Sequence, residues 1–474
     1  PSASSDPVNI SFQANGGFTT KLFGKNLGGI FGINYSKSNR RLVLLNRSNA
    51  IDPSTNAVSI ISEYNDTRYQ QDIMAGALGS VTLQLNPKNK ISAKAIVNVN
   101  AHNNTTQRNG DDYSRAEQMR GNEFAFKENT FFTGQLMGEH SISKPLKFKW
   151  YGAFNILDGY VPDQRRILYT RTSNTQDPFR LLISNTLSQQ SGSRIYQNLS
   201  DYIYTAGGDL SYNLRWLGQN QTIKGGYMLQ IKDRLYDAQL FANYLPKDNP
   251  NLRLLPADQV FVAENFGNGT DDKFAFDAIK GNNFRYLANT ILNAGFLQFD
   301  NQFGNKLRVV WGLRVENYDQ LVGSVKKWDP RHSYSSITDF LPGLNATYKL
   351  NPKTNLRVSA SQTVIRPELR ELSSLNLYDF ELNASVQGNP LLKRTKVTNL
   401  DFRYEIYPRA GEVINAGIFY KHFNNPIEQL FNGLGGGASV LDDRPTSRLS
   451  MRTTRKPLSV SWSQNSSGQE INWA

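Results

Sequence analysis

The chain has 474 residues, 39% of them hydrophobic and 20% charged, with a formal net charge of +13 from 53 Lys and Arg against 40 Asp and Glu. It contains no cysteine, which excludes a disulfide framework and a thiolate metal site. No apolar run reaches the roughly 18 residues of a membrane helix, while 11% aromatic residues in so polar a chain suit a sheet with one wet and one greasy face.

The basic balance raises nucleic-acid binding. No basic run exceeds a few residues, however, and the aromatics alternate along strands instead of clustering beside Lys and Arg, so the charge reads as scattered over a wet surface. The chain opens on PSASSDPVNISF, without an initial Met or a signal peptide, and reads as a fragment or a processed chain.

From there on helical periodicity is almost absent. Alternation of period two recurs in segments of about 9–11 residues, long enough for a tilted strand to cross a bilayer. NISFQA begins the series and FGKNLG (Phe23–Gly28) is the first tight turn. A long polar excursion covers Asn46–Thr67, LNPKNK (Leu85–Lys90) turns the chain back, and a second excursion covers Asn103–Arg120. SKPLK (Ser143–Lys147), excursion Gly159–Gln197, LGQNQT (Leu217–Thr222) and excursion Asp237–Asn283 continue the pattern up to FGNKL (Phe303–Leu307). Next, Leu307, Val309, Trp311, Leu313 and Val315 oppose Arg308, Gly312, Arg314 and Glu316, with Val310 the apolar exception. LNPKTN (Leu350–Asn355) repeats the earlier LNPK, and the excursion Arg366–Lys393 follows. Then Leu400, Phe402, Tyr404 and Ile406 oppose Asn399, Asp401, Arg403 and Glu405, ahead of YPRAGE (Tyr407–Glu412).

Asn, Gly and Pro are what tight hairpins use, because they supply positive φ or fix φ. Strict alternation of short turns with long polar segments is the pattern of an all-β, antiparallel transmembrane β-barrel with short periplasmic turns and long extracellular loops. Seven short turns imply about 14 strands, or 15 if NISFQA is counted apart. No blade-length repeat supports a propeller, and a sandwich uses far fewer strands. Hydrocarbon demands a closed sheet with an apolar outer face, and Tyr348, Tyr404, Tyr407, Trp150, Trp216 and Tyr227 are placed for an interfacial girdle near the short turns.

The block Phe340–Pro408 resembles the barrel of TonB-dependent outer-membrane receptors. The resemblance rests on LP-x-L-N (Leu341–Asn345), RP-x-x-REL (Arg366–Leu372), GNP-x-L-K (Gly388–Lys393), and a strand carrying Asn399, Asp401 and Glu405. WGLRVENY (Trp311–Tyr318) is similar to the family's G-x-R-x-E strand. SEYNDTRY (Ser62–Tyr69) and DQRRILYTR (Asp163–Arg171) are similar to members from Bacteroidetes-like bacteria, often preceded by a carboxypeptidase-regulatory-like domain. The resemblance spans about Asn9 to Gln429. It implies a barrel of about 22 strands, of which residues 1–430 supply a part without the plug. Residues 431–474 lose the alternation and read as an extracellular loop or as sequence that no longer encodes the family strand.

The resemblance further implies residence in the outer membrane of a Gram-negative bacterium, in contact with its lipid. It implies TonB-dependent uptake of a scarce nutrient (siderophore, oligosaccharide or peptide), a TonB-type energy-transducing partner and a possible surface lipoprotein. No nucleic-acid partner, cofactor or catalytic role is expected. His102, His140, His332 and His422 lie far apart without metal-pair spacing, Gly433–Ser439 lacks the Lys of a phosphate loop, and no Gly-x-Ser-x-Gly elbow occurs. A passive porin-like channel and a soluble basic β-rich binding protein are the competing readings. The inward charges Arg308, Arg314, Glu316, Arg357, Asp401, Arg403 and Glu405 either hold a plug or form a cross-strand ladder on a wet wall. Candidate ligand contacts in the outer connections are Tyr236, Phe241, Tyr244, Arg366 and Glu368.

Overall fold

A computed structural model describes residues 8–51, 54–216, 218–431, 439–442 and 460–464. The first six long strands are β1 Ile10–Leu22, β2 Lys25–Ile51, β3 Val58–Asn86, β4 Asn89–Asp112, β5 Glu117–Ser141 and β6 Leu146–Thr172. The next four are β7 Ser193–Trp216, β8 Gln219–Tyr244, β9 Arg285–Phe303 and β10 Leu307–Gly323. The last four are β11 His332–Asn351, β12 Thr354–Ile365, β13 Thr395–Ile406 and β14 Ile414–Asn424. Each pairs antiparallel with its neighbours in sequence, giving a continuous meander of fourteen long strands. The short segment Val460–Gln464 adds to β14 opposite Ile414–Ile418. Of the expected irregular tail, residues 432–438, 443–459 and 465–474, including most of Gly433–Ser439, lie outside the described residues.

All seven short turns join the strands they were assigned to join. NISFQA is simply the first arm of the first hairpin and adds no further strand. The two LNPK turns share one geometry. The Asn86 side chain accepts from the Lys88 amide at 2.9 Å, and the Asn351 side chain accepts from the Lys353 amide at 2.9 Å. In both, an Asn side chain closes the turn and Pro contributes a fixed φ.

Two expectations about length need correction. Strands reach 29 residues in β3, far beyond a bilayer crossing, and most of Asn46–Thr67 and Asn103–Arg120 is not loop but paired strand. Polar composition signals exposure to water, and a ladder that rises out of the membrane is wet on both faces, so polarity alone does not distinguish it from a loop. The connections at 173–192 and 245–284 each return one short strand to the wall, Arg180–Leu181 beside β6 and Ala275–Ala278 beside β8, whereas 366–394 leaves it.

Cross-strand partners share a face, so the register carries one face assignment through the sheet. On β6 the outer face reads Leu146, Phe148, Trp150, Gly152, Phe154, Ile156, then Asp158. On β8 it reads Ile223, Gly225, Tyr227, Leu229, Ile231, then Asp233, and on β10 Leu307 to Val315, then Asn317 and Asp319. The apolar band therefore begins at the short turns and ends at one level, as a wall crossing roughly 25 Å of hydrocarbon requires. Leu136, Leu210, Trp311, Leu313, Leu400 and Phe402 on this face are all exposed to the surroundings. Polar tips on the band are satisfied locally: Tyr227 donates to Asn293 at 2.6 Å and Trp311 to Asn301 at 2.9 Å.

Of the expected girdle, Trp216, Tyr348 and Tyr404 stand exposed beside the short turns and Tyr227 is exposed higher in the band. Trp150 donates its indole N–H to His140 at 3.0 Å. Tyr407 departs from the expectation: its hydroxyl donates to the inward Glu405 at 2.9 Å, because two residues beyond Glu405 the strand alternation brings it to the same inward face. The face assignment is testable. Leu136→Arg on the band should lower stability by about 2–4 kcal/mol, whereas Gln135→Arg on the inner face should change it little. Denaturant unfolding of the protein folded into lipid vesicles measures both.

Candidate functional site

The connection from β12 to β13 does not stay at the rim. Pro367 has no N–H for the ladder and β12 ends at Ile365. The chain then turns onto the inner face of the wall and runs across it as far as β3 and β4. Leu369, Leu372, Leu375 and Leu392 pack on the inner faces of β7 to β10, against Ile195, Tyr236, Leu240, Tyr286, Ala288 and Val322. Further on, Tyr378 and Phe380 pack against Tyr64, Met119 and Leu168 on β3, β5 and β6. Apolar residues on the inward face of the strand ends thus have a partner inside the barrel.

At the tip, Arg108 on β4 is completely buried. It holds Asp66 of β3 through two bonds of 2.9 and 2.6 Å and donates to the Phe380 carbonyl at 2.6 Å. Its guanidinium lies 4.7 Å from the Tyr64 ring centre and 4.2 Å from that of Phe380. Around it Arg68 pairs with Glu381 at 2.8 Å, Asn46 donates to the Glu381 carbonyl, and Asn383 donates to the Tyr64 hydroxyl at 3.2 Å. Asn376–Asp379 and Ala384–Gln387 form a hairpin here. Ser439–Asp442 pairs parallel to the second arm, and Glu428–Phe431 completes a separate four-stranded sheet. Two outer connections, those following β12 and β14, therefore build one body.

The root of the loop joins the motifs that the sequence shows far apart. Arg366 of RP-x-x-REL reaches Glu316 of the β10 strand at 2.7 Å, and Arg314 holds the other oxygen of Glu316 at 2.7 Å. Arg366 also lies 4.3 Å from the Tyr318 ring centre. Arg394, just past GNPLLK, pairs with Asp339, two residues before LPGLN and fully buried, at 2.7 Å. A Cβ at Gly388 would come within 2.3–2.7 Å of the carbonyls of Ser373, Glu371 and Arg370, so only glycine fits there. Asn389 donates to the Glu371 carbonyl at 2.6 Å in the same knot. The motif spacing is that of one folded loop root.

The remaining inward charges are paired along the wall: Arg308 with Asp300 at 2.6 Å, Arg357 with Glu405 at 2.8 Å, and Arg403 with Glu405 at 3.7 Å. Asp401 accepts from Ser359 at 3.4 Å.

The five candidate ligand contacts separate. Tyr236 is not in a loop: it sits on β8, buried, donating to Gln197 at 2.8 Å and stacked 5.1 Å from Tyr286. Phe241 is also on β8, on the outer face, stacked 5.5 Å from Phe276, and Tyr244 ends that strand opposite Ala275. Arg366 is committed to Glu316, and Glu368 is exposed. The polar excursion Asp237–Asn283 begins as strand up to Tyr244, because strand and loop are equally polar above the membrane. Nothing local joins Arg108 to Asp66 and Phe380, since these partners lie 42 and 272 residues away.

Burial pushes the Tyr378 phenol up to about 12, against the opposing pull of the Arg108 and Arg166 guanidinia. A phenol held neutral in the folded state stabilises the seated loop fully below its ordinary value of about 10, and that contribution is lost as pH rises through about 12. Protease cleavage within 376–387 should therefore increase between those pH values in the parent protein. In Tyr378→Phe that step should be absent.

Residues 259–438 match the family described as "Outer membrane protein beta-barrel family". Among solved structures, FpvA of Pseudomonas aeruginosa, bound to a heterologous pyoverdine–iron complex, has a TM-score of 0.52 at 11% identity, over 89% of this chain and 49% of that one. The fold is that of an outer-membrane β-barrel. The ferric-catecholate import receptor Fiu of E. coli K12 follows at 0.48 and 11% identity, over 92% of this chain and 60% of that one. The alcaligin outer-membrane receptor FauA of Bordetella pertussis has 0.43 and 13%, over 92% and 55%. No curated protein matches the chain. The chain spans about half the length of the solved receptors it resembles. The apolar band and the family match place this barrel in the outer membrane of a Gram-negative bacterium, with its short turns toward the periplasm.

Proposed function

We propose that this barrel is the wall of an outer-membrane receptor that takes up a scarce nutrient in a TonB-dependent manner, of the kind that Bacteroidetes-like bacteria carry behind a carboxypeptidase-regulatory-like domain. The observation that carries the reading is the 366–394 loop. It bears RP-x-x-REL and GNP-x-L-K, folds inside the barrel and is anchored from β3 to β11, where a freely diffusive pore would keep its mouth open. The substrate class is a siderophore, an oligosaccharide or a peptide. The wall itself carries binding and passage and no bond chemistry.

The test uses the full-length protein in its own cells. Uptake of a labelled nutrient through a receptor of this kind stops when the inner-membrane proton gradient is collapsed or the TonB homologue is deleted. Uptake that continues under both treatments would establish a passive channel in its place.

A further inference from the structure

The outer face of the wall is indented between β4 and β8. Gly134, Gly152 and Ala206 lie in the floor, flanked by Leu136, Trp150 and Phe154, and the hollow, open to the surroundings, has a volume of about 660 Å³. Register aligns these small residues: Gly152 stands opposite Leu136 on β5 and Ala206 on β7, and Gly134 stands opposite Phe154. Wall packing does not demand the glycine, because a Cβ at Gly152 would meet no atom within 4 Å and its φ is not in the left-handed region. The missing side chains leave space that hydrocarbon must fill, since the hollow lies wholly within the apolar band.

The short-turn end of the hollow is polar. Trp150 donates to His140 at 3.0 Å, and the other ring nitrogen of His140 meets Asn89 at 2.8 Å. Two adjoining turns lie beyond this end, tied by a bond from the Ser141 amide to the Lys88 carbonyl at 2.7 Å. Lys88 and Lys144 stand exposed on these two turns. The lining of the hollow stops at Ala93 and Trp150, and Lys88 and Lys144 stand beyond it at the membrane surface. An apolar hollow below a pair of exposed cations is complementary to one acyl chain joined to a phosphate.

We propose that this groove holds one glycerophospholipid of the periplasmic leaflet, its acyl chain on Gly134, Gly152 and Ala206 and its phosphate at the turns bearing Lys88 and Lys144. Distinct from the mobile lipid around the barrel, this molecule would stay bound through extraction. Its chemistry separates it from a nutrient, which travels on the opposite face of the same strands.

The full-length protein, extracted in mild detergent and examined by native mass spectrometry, tests this. The expected result is one discrete phospholipid per barrel. Gly152→Leu fills the trough and should lower the occupied fraction about tenfold. Lys88→Gln with Lys144→Gln should reduce the preference for phosphatidylglycerol over phosphatidylcholine about tenfold. The same heat-dependent electrophoretic mobility in all variants shows that the barrel is folded. If Gly152→Leu does not fold, Gly134→Leu makes the same test, as a Cβ there would touch only Phe132, at 3.6 Å. A graded series of lipid adducts, or equal occupancy in parent and filled-groove variants, would mean surrounding lipid only and would overturn the proposal.

Discussion

Arg108→Leu is expected to destabilise the folded protein by about 3–5 kcal/mol, because it leaves the carboxylate of Asp66 buried without its partner. Asp66 is 1% exposed, so it has no route to water without movement of β3 or of the loop above it. The same change removes the bond to the Phe380 carbonyl and two ring contacts, so residues 378–383 should lose their seat. Denaturant unfolding in vesicles reads the first effect, and protease access near Glu381 reads the second. The double change Arg108→Leu with Asp66→Leu should recover much of the stability, since it leaves no unpaired charge, but not the protection of the loop. A double variant as unstable as the sum of the singles would mean that the pair itself contributes less than the packing around it.

The second large effect belongs to the other end of the loop. Leu375→Ala should lower stability by about 2–5 kcal/mol, from lost burial and the cavity left behind. Leu375 is fully buried among residues of β8, β9 and β10, and Leu372 beside it is nearly so. Because these contacts belong to the loop and not to the ladder, hydrogen exchange should accelerate across 366–394 while β3 to β6 keep their protection. Combining Leu375→Ala with Arg108→Leu tests whether the loop is one body. Independent anchors add to within about 0.5 kcal/mol. A loop that leaves as a unit will show the second change adding little to the first.

The sequence by itself determined the wall. Period-two alternation and seven turns built from Asn, Gly, Pro and Lys are local properties, legible because a strand's faces alternate with every residue. The two LNPK turns show this well: the same letters close the same Asn-capped geometry in two distant hairpins. Motif spacing marked the 366–394 segment, and Arg366, Arg314 and Glu316 were all singled out, though nothing in the letters joined them.

Only the tertiary structure decided where strand ends and loop begins above the membrane, and where the outer connections go. Tyr236 looked like a ligand contact because an aromatic in a polar stretch is ambiguous; the register of β8 turns it inward and Tyr286 and the loop leucines cover it. Arg108 and Asp66 looked like ordinary members of a polar segment until a loop from the far side of the sequence closed over them. The physical reason is common to both. A strand's two faces are fixed by neighbours one or two residues away, whereas burial on the inner face depends on what folds across it, and those partners lie up to 335 residues distant in the chain.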